Sequence, residues 1–288
     1  MRGFGGSRVR ASFMADGQKE EVLARLRLRP RHNLLLLDLV AASEGEFRSE
    51  GRMSHVVIAR RERQIIGVAS LRPSIVLETE MDTEALEAAI PLLSSLEAGL
   101  LKSEAEGVGP VWESLRSRGR RLLLDRYEAC QVLDAPTARQ GLPALPRAAR
   151  MRRARSGDLE ALVFAARSSL VEEDRPDPFE GDAGGFRDWV RGRIGRARLL
   201  EVDGQPVFVG YADVRRKEGW LVQGVYTWPE YRRRGYARAG MAGLVGEALE
   251  AGAEHVQLAV VEGNLPGLAL YESLGFKTIA RLRTILFH

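Results

Sequence analysis

The feature that most constrains the fold of this chain is a break near its middle. Residues 134–150, DAPTARQGLPALPRAAR, contain three prolines and one glycine and show no apolar periodicity, which is typical of a linker. On each side of the break, the apolar pattern predicts helices, a hairpin, a strand, a helix and a strand. Since 288 residues suffice for two domains of ordinary size, the sequence predicts one domain over 14–135, a linker over 136–148 and a second domain over 149–288.

The composition is typical of a folded protein, with 45% hydrophobic and 28% charged residues. The net charge of +4 is too small to indicate a nucleic-acid partner, and no run is long and apolar enough for a signal peptide or a transmembrane helix. Cys130 is the only cysteine, which excludes an intramolecular disulfide and fits a reducing compartment. We therefore predict a cytoplasmic protein without a membrane or nucleic-acid partner, and no residue spacing indicates a metal site.

Residues 231–237, YRRRGYA, stand between a predicted strand, LVQGVYTW, and a predicted helix over 236–250. Backbone N–H groups at such a helix N-terminus lack intrahelical acceptors and, with the helix dipole, attract anions. Gly235 would let the backbone approach a phosphate closely, and the arginine side chains would add charge-assisted contacts. The stretch predicts a phosphate-binding turn; a solvated basic run and a nucleic-acid patch are the alternatives.

The helix after this turn contains a glycine at every third position, namely Gly240, Gly243 and Gly246. Each glycine costs about 1 kcal/mol relative to alanine in a helix interior. This cost has to be offset, so we expect the helix to pack closely against a sheet or a ligand.

Two motifs resemble those of the GCN5-related N-acetyltransferase (GNAT) superfamily. Arg232, Gly235 and Ala237 resemble its Arg/Gln-x-x-Gly-x-Gly/Ala signature, and residues 261–276, VEGNLPGLALYESLGF, are similar to its second landmark, an Asn followed by LY-x-x-x-GF. The motifs occur in the family's order, with a predicted strand between them. The resemblance covers roughly 149–288, and the whole chain is similar to tandem proteins in which a degenerate acetyltransferase-like domain comes first.

The resemblance implies an α/β (α+β) fold with two GNAT-like domains. Each would be a central mixed, mostly antiparallel sheet flanked by helices, and the sheet of the C-terminal domain would be splayed at the acetyl-CoA site. Residues 14–135 contain no counterpart of the glycine signature. The first domain is therefore expected not to bind a nucleotide in the family's way.

The resemblance also implies acetyl transfer from acetyl-CoA to an amine by direct attack. The strand before the turn would hydrogen-bond the pantetheine arm, the N–H groups of the turn would hold the pyrophosphate, and Tyr271 would be the general acid. The cofactor-binding residues implied in this way are Val225, Tyr226, Thr227, Arg232, Arg233, Arg234, Gly235, Tyr236, Ala237, Arg238, Asn264 and Tyr271.

The proton chemistry supports an acid more clearly than a base. A phenol of pKa about 10 can donate a proton to a leaving thiolate whose thiol has a pKa of about 8.5. Many members of the family carry a glutamate on the strand before the turn, where this chain has Gln223, which cannot accept a proton. Glu172 and Glu173, followed by Asp174, are the candidates for a base that acts through water or for a clamp on a cationic substrate.

The acceptor is expected to be a small-molecule or peptide amine. At pH 7, deprotonation costs about 4.6 kcal/mol for a lysine amine and about 1 kcal/mol for an α-amine, so a missing strand base favours an amine of low pKa. A non-catalytic acyl-CoA sensor or scaffold is the alternative, in which Tyr271 would be a packed aromatic and Asn264 a turn former. The chain is expected to be a monomer or a homodimer.

Overall fold

The structure is a computed structural model that describes residues 8–15, 17–43 and 55–288. These residues form two compact units. Unit 1 contains the described residues up to Glu128 together with Ala280–His288, and unit 2 contains Ala129–Ile279. None of the helices in the described ranges combines the length and the apolar character that a membrane-spanning segment requires.

Unit 1 contains an antiparallel sheet of order β1-β2-β3-β4. Ile75, just before β4, forms a parallel bridge with Leu101 of β5, and β5 pairs antiparallel with residues 282–287 of β12. Apolar side chains of these strands and of the four helices fill two cores and a smaller cluster around Ala59, Ile66 and Ala85. The strands are β1 (Arg10–Phe13), β2 (Val56–Arg61), β3 (Gln64–Ser70), β4 (Val76–Leu77), β5 (Gly99–Glu104) and β12 (Lys277–Phe287), and the helices are α1 (Lys19–Leu26), α2 (Pro30–Ala42), α3 (Thr83–Leu93) and α4 (Ala105–Ser117).

Unit 2 contains a sheet of order β6-β11-β10-β9-β8-β7, in which β10 and β11 are parallel and the pairs from β10 to β7 are antiparallel. Its strands are β6 (Leu122–Asp134), of which residues 129–134 belong to unit 2, β7 (Ala149–Arg153), β8 (Ala197–Val202), β9 (Gln205–Arg215), β10 (Trp220–Thr227) and β11 (His255–Val261). Its helices are α5 (Ala135–Ala138), α6 (Leu159–Glu172), α7 (Ala183–Arg193), α8 (Tyr236–Glu250) and α9 (Leu265–Ser273). The predicted mixed, mostly antiparallel sheets flanked by helices are confirmed.

The order of elements is repeated along the chain. A strand, two helices, a hairpin, a strand, a helix, a strand, a helix and a final strand run from β1 to β6 and again from β7 to β12. Residues 136–148, predicted to be a linker, lie between the two copies and include most of α5, whereas the compact units divide after residue 128 and assign residues 280–288 to unit 1. The difference has a physical cause, because the final strand of the second copy pairs with Gly99–Glu104 of the first.

The two faces of the unit 2 sheet are covered by different helices. Side chains alternate across a strand, so Phe208 of β9 packs in the core formed with α8, whereas its neighbour Val209 packs in the core formed with α6 and α7. The predicted close packing of α8 is confirmed at Gly240, where an added Cβ would lie 2.2 Å from the Phe208 ring. It is not found at Gly246, where an added Cβ would have no heavy atom within 4 Å.

This difference predicts opposite effects for the same substitution at two positions of one helix. Gly240→Ala is expected to lower the free energy of unfolding by about 1–3 kcal/mol, because the new methyl group overpacks the core. Gly246→Ala is expected to raise it by up to about 1 kcal/mol, because alanine is the better helix former and nothing obstructs its Cβ. Denaturant unfolding of the two variants checks both signs; equal effects would contradict the packing of α8.

Candidate active site

Strands β10 and β11 pair at one end and diverge at the other. Their parallel register consists of Trp220 with Val256 and Leu221 with Gln257. Both strands continue, β10 to Thr227 and β11 to Val261, and beyond Leu221 no residue of β10 pairs with β11 in the described structure. The predicted splay of this sheet is therefore confirmed.

A bulge in β10 accompanies the splay. The antiparallel register with β9 passes from Gln223 opposite Tyr211 to Tyr226 opposite Val209, so two residues of β10 face one residue of β9. Gly224, the first of the two, has a φ of 56°, and a Cβ at this position would lie 2.9 Å from the Tyr211 ring. We did not predict this bulge, although a glycine inside a strand pattern is the signal that often marks one.

The turn after β10 leads directly into the N-terminus of α8. Gly235 is the N-cap, has a φ of 82° and provides no side chain to accept from the first N–H groups of the helix. A Cβ added to Gly235 would have no heavy atom within 4 Å, so the space around the turn is open. Arg233 is also left-handed, with a φ of 61°, a conformation that costs a residue other than glycine about 1–3 kcal/mol. Consecutive backbone N–H groups in such a turn form a concave surface that suits an anion.

The arginine side chains of the turn have protein partners. The Arg232 guanidinium donates from Nε to the Thr227 carbonyl oxygen at 2.9 Å, and from Nη2 to Oε1 and Oε2 of Glu172 at 2.7 and 2.9 Å. The Arg234 guanidinium lies 5.9 Å from the centroid of the Tyr231 ring. Arg238 donates to the Ser273 carbonyl oxygen at 3.4 Å. Arg232, a predicted cofactor-binding residue, therefore forms an ion pair with Glu172, a predicted base.

Several of the other predicted residues lie at the end of β10 or at the start of α8. Thr227 ends β10, Val225 is half-buried, and Tyr226 packs edge-on against Trp228 with ring centroids 5.6 Å apart. Tyr236 begins α8 and its ring lies 6.2 Å from that of Tyr231, while Ala237 is half-buried beside the α8 core.

Asn264 and Tyr271 belong to α9. Asn264 is the N-cap of this helix, and its side-chain oxygen accepts from the Gly267 N–H at 3.0 Å, as expected of a turn former. Tyr271 is buried, and its ring centroid lies 5.8 Å from that of Phe276. Burial first, and then the Glu173 carboxylate, raise the pKa of Tyr271 well above the usual value of a phenol. Glu173, one predicted base, therefore lies near enough to Tyr271, the predicted acid, to affect its pKa.

Glu173 lies at the C-terminal end of α6 in an exposed position. Its carboxylate accepts from the Ser169 hydroxyl at 3.5 Å and lies 3.9 Å from a guanidinium nitrogen of Arg175. The next residue, Asp174, is left-handed with a φ of 48° and ends the helix sharply. In the described part of the chain, no group of three or more His, Cys, Asp or Glu side chains is placed to hold a metal ion.

The corresponding elements of unit 1 provide their own acceptors. The Leu77 N–H donates to the Ser103 hydroxyl at 2.7 Å, so a side chain of β5 bridges to the end of β4. The Asp82 carboxylate accepts from the Ala85 N–H at 3.1 Å and caps α3, which occupies the place of α8 in the repeat. Unit 1 therefore supplies a carboxylate at the helix N-terminus where unit 2 has only Gly235.

Residues 160–276 match the model of the acetyltransferase (GNAT) family. No curated protein matches the sequence significantly. Among solved structures, the chain is similar to a Drosophila protein at 17% identity, with a TM-score of 0.71 over 98% of this chain and 99% of that one.

The chain is also similar to a GCN5-related N-acetyltransferase from Sphaerobacter thermophilus, at 15% identity and a TM-score of 0.57 over 97% of this chain and 95% of that one. A tandem GNAT protein from the clavulanic acid biosynthesis pathway is similar at 15% identity, with a TM-score of 0.50 over 96% of this chain and 98% of that one. At such identities the likeness shows the fold alone. Residues 160–276 thus match the family model of the GNAT acetyltransferases, within a chain that has the fold of GNAT proteins, a tandem member among them.

Proposed function

We propose that unit 2 binds acetyl-CoA and transfers its acetyl group to an amine by direct attack. One observation carries the proposal: β10 separates from β11 and then leads into an uncapped, glycine-initiated helix N-terminus, all within the segment that matches the GNAT family. A parted pair of strands can accept an extended amide chain, and the helix N-terminus can accept the phosphates at its end.

The turn would hold the pyrophosphate through its backbone. The first N–H groups of α8 have no intrahelical acceptors, and the positive end of the helix dipole adds to their attraction for an anion. Gly235 keeps the approach open because it has no Cβ. Arg233 and Arg234 provide additional positive charge at the same turn, whereas the Arg232 guanidinium is already bonded to Glu172.

The strand would hold the pantetheine arm. Beyond Leu221, no residue of β10 is paired with a residue of β11 in the described structure. Backbone groups of Val225 and the N–H group of Thr227, whose carbonyl oxygen accepts from Arg232, would then bond to the amides of the arm as an added strand does. Asn264 caps α9 with its side-chain oxygen, which leaves its amide nitrogen as the donor that could reach the ligand.

Acetyl-CoA supplies a thioester whose carbonyl carbon is the electrophile. Glu173 would accept a proton from the attacking amine through a water molecule, because its carboxylate is exposed to solvent. Tyr271 would donate from its hydroxyl to the departing sulfur. Its raised pKa keeps the phenol protonated at neutral pH but widens the mismatch with a thiol, each unit of which costs about 1.36 kcal/mol. A strong hydrogen bond to the sulfur therefore suits Tyr271 better than early proton transfer.

A second candidate is a sensor or scaffold that binds acyl-CoA without turnover. Two observations favour it: Gln223 stands on the strand where a base is expected, and Glu172 is engaged by Arg232.

If unit 2 is an enzyme, its acceptor would be a small-molecule or peptide amine of low pKa, whose deprotonation requires little help.

Isothermal titration with CoA and with acetyl-CoA tests the binding step that both candidates share. The proposal expects saturable binding with a stoichiometry of one per chain, since unit 1 caps its own helix with Asp82. A stoichiometry of two would contradict the assignment of the site to unit 2 alone. No binding at millimolar ligand would exclude both candidates.

A further inference from the structure

The Arg232 side chain connects three parts of unit 2. Its Nε bonds to the carbonyl oxygen of Thr227, the last residue of β10, and its Nη2 bonds to both carboxylate oxygens of Glu172. The guanidinium carbon also lies 5.4 Å from the centroid of the Tyr226 ring. Glu172 is the last residue of α6, so one side chain joins the end of β10, the turn before α8 and the end of α6.

The end of α6 is exposed on its outer side. Val171 is 80% exposed, and Glu172 to Arg175 are all exposed. Glu173 follows directly after the residue that Arg232 holds. Because Nη2 of Arg232 contacts both carboxylate oxygens of Glu172 while Nε is held by the Thr227 carbonyl oxygen, the pair restricts where the Glu173 carboxylate can lie relative to Tyr271.

We propose that Arg232 is a positioning residue: through its ion pair with Glu172, it couples the turn before α8 to the end of α6 and so orients Glu173 when CoA occupies the turn. This inference rests on the proposed function. It assigns the Arg232 guanidinium to a protein carboxylate and not to a phosphate of the ligand. It also gives Glu172 a role in placing its neighbour and none as a base.

The Arg232–Glu172 ion pair is weak enough to form and break in the folded protein. The Arg232 and Glu172 side chains are 40% and 45% exposed. Ion pairs of this exposure typically change a local equilibrium by about 1.4- to 5-fold. An effect of this size is too small to decide whether the domain folds, yet it is measurable at a helix end.

Hydrogen-exchange mass spectrometry with saturating CoA tests the coupling without an acceptor. In the wild-type protein, CoA is expected to slow amide exchange both at residues 229–239 and at residues 166–175. In Arg232→Ala, saturating CoA is expected to protect 229–239 still, while the protection of 166–175 falls to none. Glu172→Gln should give part of the same loss while leaving the turn itself unaltered, because the amide keeps one acceptor oxygen and loses the charge.

The charge-swapped variant Arg232→Glu/Glu172→Arg is expected to recover part of the α6 protection, because the pair is formed again with reversed ends. A matched control is Arg187→Ala. This change removes another exposed arginine–glutamate pair, which joins Arg187 to Glu160 in the first turn of α6. This control should keep both protected regions.

Three outcomes have distinct meanings. Protection of both regions in Arg232→Ala and Glu172→Gln would overturn the coupling while leaving CoA binding intact. Protection of 229–239 alone in the wild-type protein would also overturn it. Absence of protection at every peptide of the wild-type protein would refute the proposed function itself and the inference with it.

Discussion

Tyr271→Phe is expected to lower kcat for acetyl transfer by about 10²- to 10³-fold, which is the usual effect of removing one hydrogen-bond donor to charge that develops in the transition state. The affinity for CoA should change little, because phenylalanine keeps the ring that packs 5.8 Å from Phe276. The release of free CoA thiol, followed with an amine that the wild-type protein acetylates, measures kcat. Isothermal titration with CoA measures the affinity separately.

Tyr127→Phe is the matched control, since it removes the same hydroxyl from a tyrosine of unit 1 whose ring packs under Arg281 at 3.8 Å. It should leave both kcat and the CoA affinity unchanged. If the wild-type protein transfers acetyl groups and Tyr271→Phe does so equally fast, Tyr271 is a packed aromatic. Another group must then donate to the departing sulfur. If the wild-type protein binds CoA but acetylates no amine, the sensor is the better account.

Substitutions of Gly235 are expected to weaken CoA binding in the order Asn, Ala, Val, with valine the weakest binder. The left-handed φ of 82° costs alanine about 1–2 kcal/mol, asparagine less and a β-branched residue more. Without ligand, residue 235 of the variant relaxes to another backbone conformation. It has to return to the left-handed conformation when CoA binds, and this return costs free energy. Its dissociation constant therefore rises, for alanine by up to about 5- to 30-fold.

Gly246→Ala is the control for the Gly235 series because it changes a glycine of the same helix, far along α8 from the turn. Its CoA affinity should equal that of the wild-type protein. Equal affinities for Gly235→Ala, Gly235→Val and the wild-type protein would show that the turn does not contact the ligand. Far-UV circular dichroism of each variant establishes that α8 is still folded.

Local patterns in the sequence predicted local structure well. The predicted helix over 236–250 coincides with α8, because Gly235 can adopt the left-handed conformation that starts it and the apolar residues after it follow a helical period. Close packing was predicted correctly at Gly240, and the cap formed by Asn264 is a contact between residues three apart. Such features depend on neighbours in sequence.

Contacts between distant residues could not be predicted in this way. The basic run suggested three arginines around a phosphate, but Arg232 is bonded to Glu172, 60 residues earlier. The final strand was predicted to complete the second domain, whereas residues 282–287 pair with residues 99–104 of unit 1. Neither partner is marked by composition or spacing, because an ion pair or a strand partner is selected by the fold as a whole.

The most direct test of the account is a crystal structure of the protein grown with CoA. The account predicts pyrophosphate oxygens about 2.7–3.2 Å from backbone nitrogens among residues 233–237, with the pantetheine arm between β10 and β11 and its sulfur within reach of the Tyr271 hydroxyl. Electron density for CoA at any other place, or an empty turn beside bound CoA, would contradict it.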